Sequence, residues 1–161
     1  MMSRKAKDLT TYAELHREGR CDLLPLSEIA AVLEDPVLDF IGSFMMTGDT
    51  DYIHKAITQF CTDTRYYNRV PCYDVLIELS MHAEDMAKEY GERKWEEGIP
   101  CHCFIDCGVR HYIRHCNDWT DCGHGIAFLW NMYCLLWTLR HHPDLNDLPQ
   151  YSDYREESNE Q

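Results

Sequence analysis

Positive charge is scarce in this chain: 15 Lys and Arg stand against 28 Asp and Glu, a formal net charge of −13 at pH 7. Such a chain repels nucleic-acid phosphates and anionic membrane surfaces, so general affinity for either is disfavoured, while a protein partner remains open. Glycine and proline are also few, at 8 and 6 residues, which excludes collagen-like and Pro/Gly-rich disordered classes. No apolar run is long enough for a membrane span. The longest, Ile126 to Leu139, is interrupted by Asn131 and Thr138 and covers about 14 residues, where roughly 20 are needed. The opening Met-Met-Ser-Arg-Lys-Ala-Lys carries charge with no apolar run behind it, so no secretory signal is expected. Missing too are His-Glu-x-x-His, a phosphate-binding Gly-rich loop and Gly-x-Ser-x-Gly, which makes an enzyme of those kinds unexpected. No stretch alternates polar and apolar residues as a half-buried strand would.

What is present is a folded, helix-patterned chain. Hydrophobic residues make up 45% of 161, enough for one domain with its own core. Lys7 to Gly19 reads as a short surface helix, with Thr11 and Glu14 at capping-box spacing and Tyr12 and Leu15 as a thin apolar stripe. Ser27 to Glu34 reads as a second, capped by Ser27, with Ile29, Ala30, Val32 and Leu33 turned inward. Asp35-Pro36 starts a third, an N-cap aspartate before proline at the first helical position. Its inner face is Val37, Leu38, Ile41, Phe44 and Met45, and Gly48 ends it. Another helix, capped by Asp49, Thr50 or Asp51, turns Ile53, Ile57 and Phe60 inward.

Thr62 to Pro71 is polar and aromatic and reads as a loop, with Tyr66, Tyr67 and Arg69 as candidate partner-binding residues. Pro71 to Glu97 gives the longest helical pattern, with Val75, Leu76, Leu79, Met86 and Tyr90 inward, Glu84 and Lys88 paired outside, and Gly91 as a point of bending or ending. Gly125 to His141 is apolar almost all round, the pattern of a central helix, with the 71–97 helix expected as its long antiparallel neighbour. Residues 144–161 hold six acids and one arginine and read as a flexible acidic tail, which leaves 1–143 as the helical domain. The expected fold is all-α, a single helical domain of about six or seven helices.

The chemistry concentrates between the two longest helical patterns. Nine of the chain's eighteen Cys and His residues fall in residues 101–124. An odd thiol count without a secretory signal points to a reducing compartment, cytoplasmic or nuclear, where Cys clusters mean metal more often than disulfide. Thiolates and imidazoles are the ligands zinc prefers, and a structural site takes four. Cys103, Cys107, His111 and His115 recur every fourth residue, so a helix would present all four on one face. That stripe is too long for one ion: from Cys107 to His115 is about 12 Å along a helix, against ligand bonds of about 2.0–2.3 Å. One ion can take only a neighbouring pair from it. The most economical site joins Cys107 and His111 to Cys122 and His124 in a Gly-flanked turn. A second arrangement groups Cys101, Cys103, Cys107 and His111, leaving Cys116, Cys122 and His124 for another ion. The bland alternative makes several of these inert buried thiols. Cys21, Cys61, Cys72 and Cys134 are assigned to core or surface.

The spacing fits no standard finger. Trp95 followed by Cys101-His102-Cys103 and Cys107 resembles, over one short stretch and with different spacings, the Cys/His-rich core of an adenovirus early-region adaptor that recruits a host ubiquitin ligase. The resemblance assigns neither a family nor residue roles; it implies a viral accessory protein acting on a host partner. The expectation is thus a non-enzymatic regulatory or interaction protein with structural zinc. Two alternatives stand beside it: a zinc-dependent hydrolase using Asp106, Asp118 or Asp121, and a nucleic-acid binder using the 108–116 island around Arg110 and Arg114.

Overall fold

The computed structural model describes residues 19–63 and 73–148. Among these residues the backbone is helical with no strand, in six α-helices: α1 (Leu26–Leu33), α2 (Pro36–Thr47), α3 (Asp51–Asp63), α4 (Asp74–Tyr90), α5 (Cys101–Cys116) and α6 (His124–His141). Short 3-10 turns stand at Cys21–Leu23, Lys94–Glu97 and Pro143–Leu145. No described helix is long and apolar enough to cross a membrane. The helix expected before Gly19, the loop with Tyr66, Tyr67 and Arg69, Cys72, and the acidic segment from residue 149 lie outside the described residues. Of the earlier part of that acidic segment, Pro143–Leu145 forms its 3-10 turn and Leu148 is buried.

The described residues fall into two packed units, one of residues 25–76 with 147–148 and one of residues 19–24 with 77–146; the boundary runs through α4. In the first unit, α2 is set by its ends. The Asp35 carboxylate accepts the Leu38 amide at 3.0 Å, Pro36 follows at the first helical position, and Gly48 closes the helix at φ 69° with its N–H on Phe44 O. An N-cap of this kind contributes about 1 kcal/mol. Val37, Leu38, Ile41, Phe44 and Met45 are all buried, and α3 answers with Ile53, Ala56, Ile57 and Phe60.

For α1 the sequence reading needs correction. The helix starts at Leu26, so Ser27 lies within it and does not cap it. Ser27 stands instead where α1 meets α2: a Cβ added at Gly42 would come within 2.5 Å of Ser27 Oγ and 2.9 Å of its backbone nitrogen. Leu26 and Ala30 are buried at that contact, while Val32 and Leu33 are 82% and 63% exposed. Val32 is two residues from Ala30, about 200° round the helix. Leu33 occupies the last turn before Glu34, at φ 53°, leads the chain away.

In the second unit, the expected helix from 71 to 97 is cut. α4 ends at Tyr90, Gly91 adopts φ 105°, and the chain makes a separate turn at Lys94–Glu97. Gly91 and Gly98 both hold positive φ, which a side-chain-bearing residue adopts only with strain. The principal partner of α6 is accordingly α5, the Cys/His helix itself, and not α4. Phe104, Ile105, Val109 and Tyr112 from α5 are buried, as are Phe128, Leu129, Met132 and Leu135 from α6, with the Tyr112 and Phe128 rings 5.3 Å apart. Gly108 lets the two backbones approach, since a Cβ there would lie 2.6 Å from Met132 Cε and 3.3 Å from Asn131 Cβ. On α4, Val75 and Leu79 are buried, but Leu76, expected to face inward, is 48% exposed, and Ile77 and Met81 are exposed with it. Nor is α6 buried all round: Tyr133 and Arg140 face solvent.

Candidate metal centre

Two elements bring the cluster together. His111 stands in the second half of α5, and Asn117 to Gly123 return the chain so that α6 begins at His124. Asp118 takes a left-handed φ of 55° in that return, a conformation aspartate tolerates better than most residues. His124, only 2% exposed, points its ring back at α5. Its Nδ1 lies 2.9 Å from His111 Nδ1 and 3.3 Å from Cys122 Sγ. The donor atoms of His111, Cys122 and His124 all lie within 4.8 Å of one another, so this group could hold a metal ion. Ligand atoms on a tetrahedral zinc are about 3.3–3.7 Å apart, given bonds of about 2.0–2.3 Å, so shifts of up to about 1 Å separate this arrangement from a coordination shell.

The proton positions follow from the fourth participant. Asp121 Oδ1 lies 2.6 Å from His124 Nε2. A carboxylate can only accept, so Nε2 carries the proton and Nδ1 presents its lone pair to His111 and Cys122. This is the carboxylate–histidine support that orients metal-binding imidazoles and raises their basicity. The bond from His124 holds the Asp121 carboxyl below its usual range. Burial is the first cause that pushes His111 down to about 4. His111 is therefore neutral, the ligating form, at physiological pH. Partial burial and then the Asp121 charge push the Cys122 thiol up, so a cation must displace its proton. Outside the cluster, the Trp119 ring sits edge-on to His124 at 6.4 Å, and Arg114 lies over Trp119 at 5.2 Å.

Of the seven ligands expected from sequence, the fold joins His111, Cys122 and His124 and leaves four outside the group. Cys101 is buried at the start of α5. Cys103 has its sulfur 3.5 Å from His102 Nε2. Cys107, one turn before His111, borders a cavity together with Cys103, His111 and Cys122. Cys116 is exposed at the end of α5. The carboxylate behind His124 was weighed from sequence only as a base; the Asp121-x-x-His124 spacing is the signal that identifies it as a support.

In the 108–116 island, Arg110 is committed internally, while Arg114 is half-buried over the Trp119 ring. Arg110 is buried, with Nη2 donating to the Asp106 carboxylate at 2.7 Å and to Gly19 O at 2.6 Å, and Asp106 also accepts the Cys21 amide at 2.6 Å. This pair ties residues 19–22 to α5. It takes Arg110 away from any phosphate and Asp106 away from service as a free base. No known protein family, curated protein or solved structure matches the chain.

Proposed function

We propose that this chain is a zinc-binding regulatory or interaction protein, non-enzymatic, in which the ion fastens α5 to the turn that opens α6. The observation that carries the reading is the convergence of His111, Cys122 and His124, with Asp121 behind His124. A mixed imidazole and thiolate set suits zinc better than magnesium or calcium, which take oxygen ligands. The ion would link residues thirteen positions apart at the most heavily packed helix pair, so its contribution is to the stability and angle of that pair. The acidic surface then serves a protein partner better than a nucleic acid.

A metal-dependent hydrolase is the second reading, favoured by one observation: the three ligands found among the described residues leave a tetrahedral ion with a fourth position, as catalytic zinc has. Against it, Asp106 is held by Arg110 and Asp121 by His124.

Elemental analysis of the purified protein and its variants tests the assignment. About one zinc per chain is expected, lost in Cys122→Ser and His111→Ala and kept in Cys116→Ser. No zinc in the parent protein, or full content in the double variant His111→Ala/Cys122→Ser, contradicts it. Zinc-dependent turnover of an activated ester would move the assignment to the hydrolase.

A further inference from the structure

A cavity of about 510 Å³ opens beside the cluster, bounded by α4, the Lys94–Glu97 turn, α5 and α6. That volume is in the range of small-molecule sites, roughly 300–1,000 Å³. Two of its wall residues, His111 and Cys122, are also members of the metal group. Much of the rest of its lining is apolar, with Trp95 and Trp130 edge to face at 6.1 Å and Met86 and Phe104 also contributing, while Asp85, Arg93, Lys94 and Asn131 bring polar groups to it. The His82 ring rests 5.5 Å from Trp130, and burial lowers its basicity, so it enters the cavity as a neutral hydrogen-bonding group. An apolar chamber with a small number of polar groups is how a small-molecule site is built.

The metal group supplies the direction and the charge. Among the described residues it has three donors, which leave one position open on a tetrahedral ion, and two of the three line this cavity. Zinc held by one thiolate and two neutral imidazoles carries a net positive charge, which favours an anionic donor over a neutral one. We infer that the cavity is a ligand pocket for a small molecule with a compact aromatic or aliphatic body and an anionic donor headgroup, a thiolate or carboxylate, that takes the metal's fourth position. The inference rests on the metal reading above and deepens it: occupancy of this pocket is the regulatory input. Cys107 also borders the cavity, with Arg110 Nη1 4.0 Å from its sulfur, and lies outside the metal group.

Cobalt(II) in place of zinc makes both parts visible, because a bound thiolate gives a near-ultraviolet charge-transfer band and the visible bands report coordination. The full chain, loaded with cobalt and dialysed, is titrated under argon with benzyl mercaptan, and with benzyl alcohol as a control that has the same body and no thiolate. The expected result is a saturable new thiolate band with the mercaptan alone, with cobalt retained on the protein. Trp130→Leu should weaken the response about tenfold. Met86→Trp, which adds bulk at the cavity wall, should weaken it while the cobalt spectrum of the loaded protein persists. Cys107→Ser should leave it in place. A loaded protein whose spectrum does not respond to the mercaptan, or responds equally in Met86→Trp, overturns the pocket and leaves the metal site standing. Release of cobalt by the mercaptan also overturns the pocket. A chain that never shows a cobalt–thiolate band overturns the metal reading, and the pocket with it.

Discussion

At the scale of single residues, His111 carries the clearest consequence. In the metal-free protein its folded pKa is pushed from 6.5 down to about 4, with burial as the first cause. The unfolded chain therefore takes up a proton at a pH where the folded one does not. The stability linked to His111 is complete above about pH 6.5, is lost progressively as pH falls toward about 4, and amounts to about 3 kcal/mol over that window. His82 and His115 are lowered by burial as well and act in the same direction. Urea unfolding of metal-free protein between pH 7 and pH 4.5 measures this, with His111→Gln as reference. The parent should lose stability more steeply than the variant; parallel pH dependences would remove the burial argument. Which single residues could be read from sequence depended on whether their role is local. The Asp35 cap needs only Leu38, three residues on, and was legible. Ser27 looked equally like a cap, but its neighbour is Gly42 on another helix, which no local pattern shows.

At the scale of elements, the seam between α5 and α6 is set by Gly108. Alanine there gains helix propensity of about 1 kcal/mol, against a contact with Met132 Cε that a flexible side chain can relieve in part. Valine adds a branch toward Asn131 Cβ, which has less room to yield. Gly108→Ala should be close to neutral and Gly108→Val should cost about 2 kcal/mol in urea unfolding. Equal, negligible effects from both would mean that the helices do not approach closely at this point. The helices themselves were largely legible, because buried periodicity recurs within each; α2 and α3 bury the residues their spacing indicated. Their partnering was not. Cys and His dominated the reading of residues 101–116 and masked Phe104, Ile105, Val109 and Tyr112, which make α5 the main neighbour of α6. Gly91 was visible as a break point in the 71–97 pattern, but only its backbone angle shows that the helix ends there.

For the molecule as a whole, the all-helical class followed from periodicity and from the absence of strand patterns, and the described residues agree. The ligand set followed only in part. Helix geometry limits an ion to a neighbouring pair of the Cys103–His115 stripe, yet the turn at Asn117–Gly123 delivers only His111 from that helix. Where a return turn places its side chains depends on tertiary packing, here on Asp118 at positive φ and on Trp119 beside His124. Adding zinc to metal-free protein while recording thermal melting by helicity tests whether a divalent ion fastens this seam. Binding only to the folded state at free zinc about 1,000 times Kd adds about 4 kcal/mol, which for a domain of this size raises Tm by about 10 °C or more. The same titration of Cys122→Ser should give little or no rise. An unchanged Tm in the parent protein, or an equal rise in parent and variant, would contradict a metal held by His111, Cys122 and His124.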